Sequence, residues 1–157
     1  MNELDNIDVD ILNLVQRDAQ LTHKEIAEKA NRSLSAIQVR VKKLQEIGII
    51  KKCVMLLDRH KVGKKLAVFV DIKLTNCGLD ALMEFQRNVV EFDEVMECYQ
   101  TSGIKDFLLK IVVSDINAYN LFLVDKLSRV PHVGNVESSF VISETKYETA
   151  YRIPVPK

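Results

Sequence analysis

Apolar residues recur along this chain in two rhythms, and the change from one to the other near residue 65 divides it. Up to residue 50 the spacing is helical. Thr22 and Glu25 have the T-x-x-E spacing of a capping box, in which hydroxyl and carboxylate each satisfy an orphan amide of the first turn. Leu21 and Ile26 have the spacing of a hydrophobic staple across that start. The pattern predicts a helix opened by Thr22, with Ile26, Ala27 and Ala30 on one face, and closed by Asn31, which tolerates a left-handed turn. Ser33 then caps a second helix in which Ile37, Val41 and Leu44 form one buried stripe, with Gly48 as its stop. Opposite that stripe fall Ser35, Val39, Lys42 and Glu46, flanked by Ala36, Gln38, Arg40 and Lys43. Upstream, Asp5 is placed as an N-cap with Asp8 at N3, and Ile7, Ile11, Leu14 and Val15 make the apolar face of a supporting helix. A β segment is expected over Ile49 to Leu57. Three helices closed by such a segment make a winged helix-turn-helix of about 60 residues. Any helical hairpin shares the caps and the period, so these alone do not assign a role.

Asp58 to Lys65 is polar, contains Gly63 and has no period, which marks a linker. Beyond it the rhythm becomes two. Leu66, Val68, Val70, Ile72 and Leu74 alternate with Ala67, Phe69, Asp71 and Lys73, as in a strand. Gly78 and Asp80 open a helix with Leu79, Leu82, Phe85 and Val89 on its apolar face. Strands are expected over Val95 to Gln100 and Asp106 to Val113, a helix is marked by Ile116, Tyr119, Leu123 and Leu127, and a last strand runs from Asn135 to Ile142. The order β-α-β-β-α-β is the ferredoxin-like arrangement, an antiparallel sheet with both helices on one face. The fold class is therefore α+β. Its expected domains are a winged helix-turn-helix at 1–57, a linker at 58–65 and a ferredoxin-like domain at 66–157. On the sheet face without helices, Ala67, Phe69, Leu108 and Val112 would meet water or another subunit, which points to a dimer.

Charge changes the picture. The whole chain is neutral, yet residues 1–65 hold 13 Lys or Arg against 9 Asp or Glu, and residues 20–52 hold 8 against 3. The positive charge lies on the helix pair, as expected of a phosphate-binding footprint, with a solvated charged surface as the alternative. Cys53, Cys77 and Cys98 are widely spaced with no C-x-x-C pair, so they are expected to be reduced, buried and neither bridged nor metal-bound. With no cleavable leader pattern and no apolar run of spanning length, a cytoplasmic protein off the membrane is expected.

Laid end to end, these segments resemble the Lrp/AsnC, or feast/famine, family of prokaryotic regulators. The resemblance rests on Leu4-Asp5-x-x-Asp8-x-x-Ile11-Leu12, Leu21-Thr22, Ile26-Ala27, Ser33 and Arg40-Val41-x-x-Leu44-x-x-x-Gly48-Ile49-Ile50. In the second half it rests on Glu97-Cys98-Tyr99, Ser102-Gly103-x-x-Asp106, Leu108-Leu109-Lys110 and Pro131-x-Val133. It implies a winged helix-turn-helix that binds promoter DNA, joined to a domain that binds an amino acid or related metabolite. It also implies dimers, often four of them in an octamer, with assembly as the switch. Departures from the family pattern are Ala19-Gln20, Asn31 and Ile104-Lys105.

On that footing Ser35, Ala36, Gln38 and Val39 are assigned to the major groove, where Gln can pair with adenine and methyls can touch thymine. Lys24, Arg32, Lys42, Lys43, Lys51, Lys52 and the helix start at Ser33 are assigned to phosphates. Arg40 is a candidate contact or, equally, a structural ion pair. For the effector, Gly103 lets loop amides approach a carboxylate and Asp106 can take an α-ammonium, unless the loop is simply a hairpin turn. The resemblance adds Tyr99, Ser102 and Ser138 as walls, and Ile104 and Lys105 at the tip, where Lys105 would favour an acidic group. Neither a cofactor nor a metal is expected. The rival readings are a sirohaem decarboxylase, which some Lrp-like proteins resemble, and a small-molecule-binding module without DNA activity. Scattered His23, His60 and His132 and the absence of a nucleophile motif speak against catalysis.

Overall fold

The computed structural model describes residues 4–154, which fall into two compact units. One comprises the chain up to residue 56 together with the segment from 146 on; the other spans Leu57–Thr145.

In the first unit α1 (Asn6–Val15), α2 (His23–Ala30) and α3 (Leu34–Glu46) start at Asp5, Thr22 and Ser33, the three caps read from the sequence. Asp5 with Asp8 and Thr22 with Glu25 each form a complete capping box. Asn31 takes the left-handed conformation at φ 53°, which turns the chain sharply from α2 into α3. After α3, Gly48 at φ +76° lets Ile49 and Ile50 donate back to the Leu44 carbonyl, both at 3.0 Å. Ile11, Leu12, Ile26, Ile37, Val41 and Leu44 close the core.

On α1, Ile11 is fully buried and Ile7, Leu14 and Val15 pack, partly covered, against the same core, with Val9 and Leu12 buried as well. Two expectations are corrected here. Ile49 to Leu57 forms no strand: beyond the turn bonds of Ile49 and Ile50 to Leu44, no backbone pairs with it among the described residues, and a lone strand has no ladder to stabilise it. Second, the segment from 146 packs with the first unit rather than the second. The Gln16 side chain clamps Tyr151 from both sides, its Nε2 donating to the Tyr151 carbonyl and its Oε1 accepting from the Tyr151 N–H, each at 2.8 Å. Ile153 packs against the helical core.

The second unit is a four-stranded antiparallel sheet of β1 (Leu66–Leu74), β2 (Val95–Gln100), β3 (Phe107–Val113) and β4 (Val133–Phe140), in the order β2-β3-β1-β4. Helices α4 (Leu79–Val89) and α5 (Ile116–Leu121) connect them in the β-α-β-β-α-β order. Both pack on one face, over Val68, Val70, Ile72, Leu109 and Ile111, with Phe85 and Phe107 ring centroids 4.5 Å apart. The last strand lies two residues earlier than expected. Leu79 and Ile116 are exposed, because Ala81 and Phe122 take the buried positions. A π-helical turn, Phe122–Lys126, follows α5 and adds a residue to its period, so that Phe122 and Leu127, five apart, both reach the core.

The helix-free face is not bare throughout. Ala67 and Val112, paired across β1 and β3, are buried within the single chain, whereas Phe69 is 36% exposed and Tyr99 51%. The thiols also differ from expectation: Cys53 and Cys77 are exposed and Cys98 is half-buried, since irregular segments hold the first two.

Gly134 of β4 sits beside the register shift between β4 and β1. A Cβ there would lie 2.8 Å from the Lys73 carbonyl oxygen, a backbone atom that the β1–β4 ladder holds beside a register shift. Gly134→Ala is therefore expected to destabilise this unit by about 1–2 kcal/mol, read as a lower urea midpoint at unchanged slope.

Candidate nucleic-acid interface and effector loop

Burying Ile37, Val41 and Leu44 turns the opposite side of α3 outward. Ser35, Gln38, Val39, Lys42 and Lys43 are exposed and Ala36 is half-exposed; Val39 is 69% exposed. Ser35, Ala36, Val39 and Lys43 line a shallow concavity with Asp5 and Arg40. An exposed β-branched residue beside Ser and Ala gives the helix a low profile, which lets its backbone approach a groove. Lys24, Arg32, Lys51 and Lys52 of the same unit are all exposed. Lys42 makes an exposed i,i+4 contact with Glu46 at 3.7 Å, which leaves it available to a phosphate. Ser33 spends its hydroxyl on capping, accepting from the Ala36 N–H at 3.3 Å.

Arg40 is the exception. Its Nη1 lies 2.6 Å from Asp5 and 2.7 Å from Asp8, fastening α3 to the start of α1. Asp8 is only 2% exposed. Hydrogen bonds to Asp5 and then Asp8 raise the Arg40 pKa, so the guanidinium stays charged. Of the two roles left open for Arg40, the ion pair is the one the structure shows.

In the second unit the loop Thr101 to Asp106 joins β2 to β3. Thr101 closes it, its N–H donating to the Asp106 carbonyl at 2.9 Å and its hydroxyl to the Lys105 carbonyl at 3.0 Å. Gly103 is at φ +126°, a conformation open to glycine alone, and nothing lies within 4 Å of where a Cβ would stand. The N–H groups of Ser102, Gly103 and Ile104 donate to no group among the described residues, and Ile104 is 85% exposed.

Asp106 is anchored rather than idle. It accepts from the Leu74 N–H at 2.8 Å and from Lys73 Nζ at 3.1 Å, and the Cys77 thiol lies 3.6 Å away. The Leu74 amide first, and Lys73 after it, hold its carboxyl below the usual range. Lys105 pairs with Glu137 of β4, and that pairing lowers the Glu137 pKa. Lys105 is thus already paired, and an acidic effector would have to compete with Glu137 for it. Ser138 and Tyr99, both expected as walls of a pocket near the junction of dimers, lie on different faces of the sheet within one chain. The Ser138 hydroxyl meets the Tyr119 hydroxyl at 2.5 Å on the helix side, whereas Tyr99 lies on the opposite face, bonded to Glu97 at 2.8 Å. Strand alternation separates the two, so they cannot form one wall within a chain. Sequence reasoning missed Lys73, Cys77 and Glu137 around the loop. The i,i+2 alternation of β1 put Lys73 on the outer face, and the β1–β4 register that brings Glu137 near it was not legible.

Among the described residues no group of His, Cys, Asp and Glu could hold a metal ion, and no helix is long and apolar enough to cross a membrane.

The comparisons agree on both halves. The profile of a winged helix-turn-helix DNA-binding domain matches residues 4–51, and that of the Lrp/AsnC ligand binding domain matches residues 67–151. The Bkd operon transcriptional regulator of Pseudomonas aeruginosa is 33% identical over 150 residues, covering 96% of this chain and 98% of its own. The leucine-responsive regulatory protein of Escherichia coli K12 is 34% identical over 144 residues, covering 92% and 88%. Among solved structures, a Neisseria meningitidis transcriptional regulator in complex with L-Met superposes with a TM-score of 0.90 at 31% identity, covering 96% of this chain and 97% of that one. With a capped helix pair in one unit and the ferredoxin-like sheet in the other, the chain belongs to the Lrp/AsnC family of DNA-binding transcriptional regulators.

Proposed function

We propose that this chain reads operator DNA with the outer face of α3 and tunes that binding by taking up an amino acid with an uncharged side chain at the loop Thr101 to Asp106. The observation that carries the effector reading is the loop itself: three unpaired N–H groups around a glycine at φ +126°, beside an ionised Asp106. Such a loop offers donors to a carboxylate and a lone pair to an ammonium. With Lys105 neutralised by Glu137, the exposed Ile104 is the chemistry left to meet a side chain, and it favours an apolar one. The relative solved with L-Met is consistent with this class. The half-exposed Phe69 and Tyr99 support a dimer through the sheet, a cytoplasmic homo-oligomer up to an octamer being the family's habit. Relatives that regulate transcription favour a regulator without catalysis over a decarboxylase.

An effector can shift DNA affinity only through its different affinity for two assembly states. Calorimetry with methionine, leucine, glutamate and lysine tests the class. Heat with methionine or leucine but not with lysine is expected, and tight lysine binding overturns it. Genomic SELEX with and without the bound amino acid then gives the operator; recovery of no preferred sequence would leave a binding module without DNA activity.

Two substitutions separate the roles on α3. Lys43→Ala is expected to weaken binding to all sequences alike and to lower the salt slope by roughly one unit, one phosphate contact being lost. Gln38→Ala should alter sequence preference at one base position and leave the salt slope unchanged. Gel shifts across a salt series distinguish them.

A further inference from the structure

A second cavity lies wholly within the DNA-binding unit, away from the amino-acid loop. It measures ≈ 410 Å³ and opens between α1, α2, the end of α3 and the returning segment that Gln16 holds in place. That volume falls within the range of small-molecule sites, about 300–1,000 Å³. Leu12, Val15, Ile26 and Val41 contribute an apolar floor, and Tyr151 and Ile153 of the returning segment form one wall. The charged residues are one-sided: Lys51 and Lys52 line the mouth with His23, and none of the lining residues is acidic. Neither lysine has an ion-pair partner among the described residues.

We infer that this cavity is a second ligand site, taking a carboxylate with an apolar body. The apolar floor repels a free amino acid's ammonium end, and burying an unpaired cation there is costly, whereas a carboxylate at the mouth gains two lysines. A fatty carboxylate and a branched or aromatic 2-oxo acid share this chemistry. The position also has a consequence, which rests on the reading of Lys51 and Lys52 as phosphate contacts. A carboxylate that engages those lysines competes with DNA for them, so the ligand acts as an antagonist of binding without passing through the amino-acid loop.

Titration calorimetry of the full chain with octanoate, 4-methyl-2-oxopentanoate and 1-octanol tests the site. Saturable binding of at least one carboxylate is expected, about tenfold or more tighter than octanol. The two carboxylates distinguish the source. Lys51→Gln with Lys52→Gln should weaken the carboxylate about tenfold and leave octanol unchanged, and Thr149→Trp, at the exposed mouth, should block both. Gly103→Val, which disables the amino-acid loop, should leave carboxylate binding intact, so failure of that site and failure of this one are told apart. In gel shifts the carboxylate should weaken DNA binding of the wild type and not of the double lysine variant. Absence of saturable binding, equal affinity for octanol, or binding that survives both sets of substitutions overturns the site; bound carboxylate without loss of DNA affinity overturns the antagonism.

Discussion

Arg40→Ala should cost the helix-turn-helix unit about 2–4 kcal/mol, because it strands a buried carboxylate. Asp8 is 2% exposed, and once Arg40 is gone the partner left to its carboxylate among the described residues is the Asp5 N–H at 3.3 Å. Removing one member of a buried pair costs more than the pair contributes, since the survivor keeps its desolvation and loses its compensation. The same substitution also unfastens α3 from α1. Circular dichroism at 222 nm during urea unfolding should show the loss as an earlier helical transition. Asp8→Leu added to Arg40→Met should recover much of it, as an apolar pair replaces the ionic one. The pH dependence has a definite sign. The Asp8 N–H, and after it Arg40, hold the Asp5 carboxyl below its ordinary range. A lowered folded pKa stabilises above the unfolded value, near about 3.9, and that stability is lost as pH falls through the folded one. Wild type should therefore retain its helices to a lower pH than Arg40→Ala does. Where the variant is still folded, the salt slope of DNA binding should be unchanged, which a phosphate-contacting Arg40 would not allow.

Arg40 also illustrates what was legible in the sequence. Caps are local, so Asp5, Thr22, Ser33 and Asn31 could be placed from spacing alone and took those positions. The period-two strands and the β-α-β-β-α-β order were legible for the same reason: each signal lies within one element. What spans distance in the chain was not. The Arg40 pair joins residues 35 and 32 apart, and Lys105 with Glu137 are 32 apart; either partner alone reads as a solvated charge. Ser138 was assigned by resemblance, and the strand alternation that sets it on the face opposite Tyr99 within one chain shows only once the register is known. The π-helical turn after α5 displaced the helical period by a residue, which no 3.6-residue template anticipates. The Gln16 clamp joins residues 135 apart and carried no sequence signal at all.

The strongest test of the reading head is Val39→Glu. Val39 is 69% exposed on the face opposite Ile37, Val41 and Leu44, so the substitution removes little packing and should leave the urea midpoint within about 0.5 kcal/mol of wild type. On the proposed reading of α3, the same position faces base edges and phosphates once DNA is bound. A carboxylate there replaces a methyl contact with an acceptor among acceptors, and like-charge juxtaposition at an interface costs several kcal/mol. The expected result is a loss of about 100-fold or more in specific affinity, against a small loss for Val39→Ala. Adding salt should narrow the gap, since screening weakens the repulsion. A second discrimination comes from the effector: amino-acid binding to the free variant, read by calorimetry, should match wild type, because the loop Thr101 to Asp106 belongs to the other unit. If Val39→Glu bound operator DNA like wild type, α3 would not enter the groove by this face, and the basic residues around it would be holding the duplex in some other register. Affinity supplied by lysines and selectivity supplied by uncharged groups predict opposite responses to salt, and this one position is where the two can be separated.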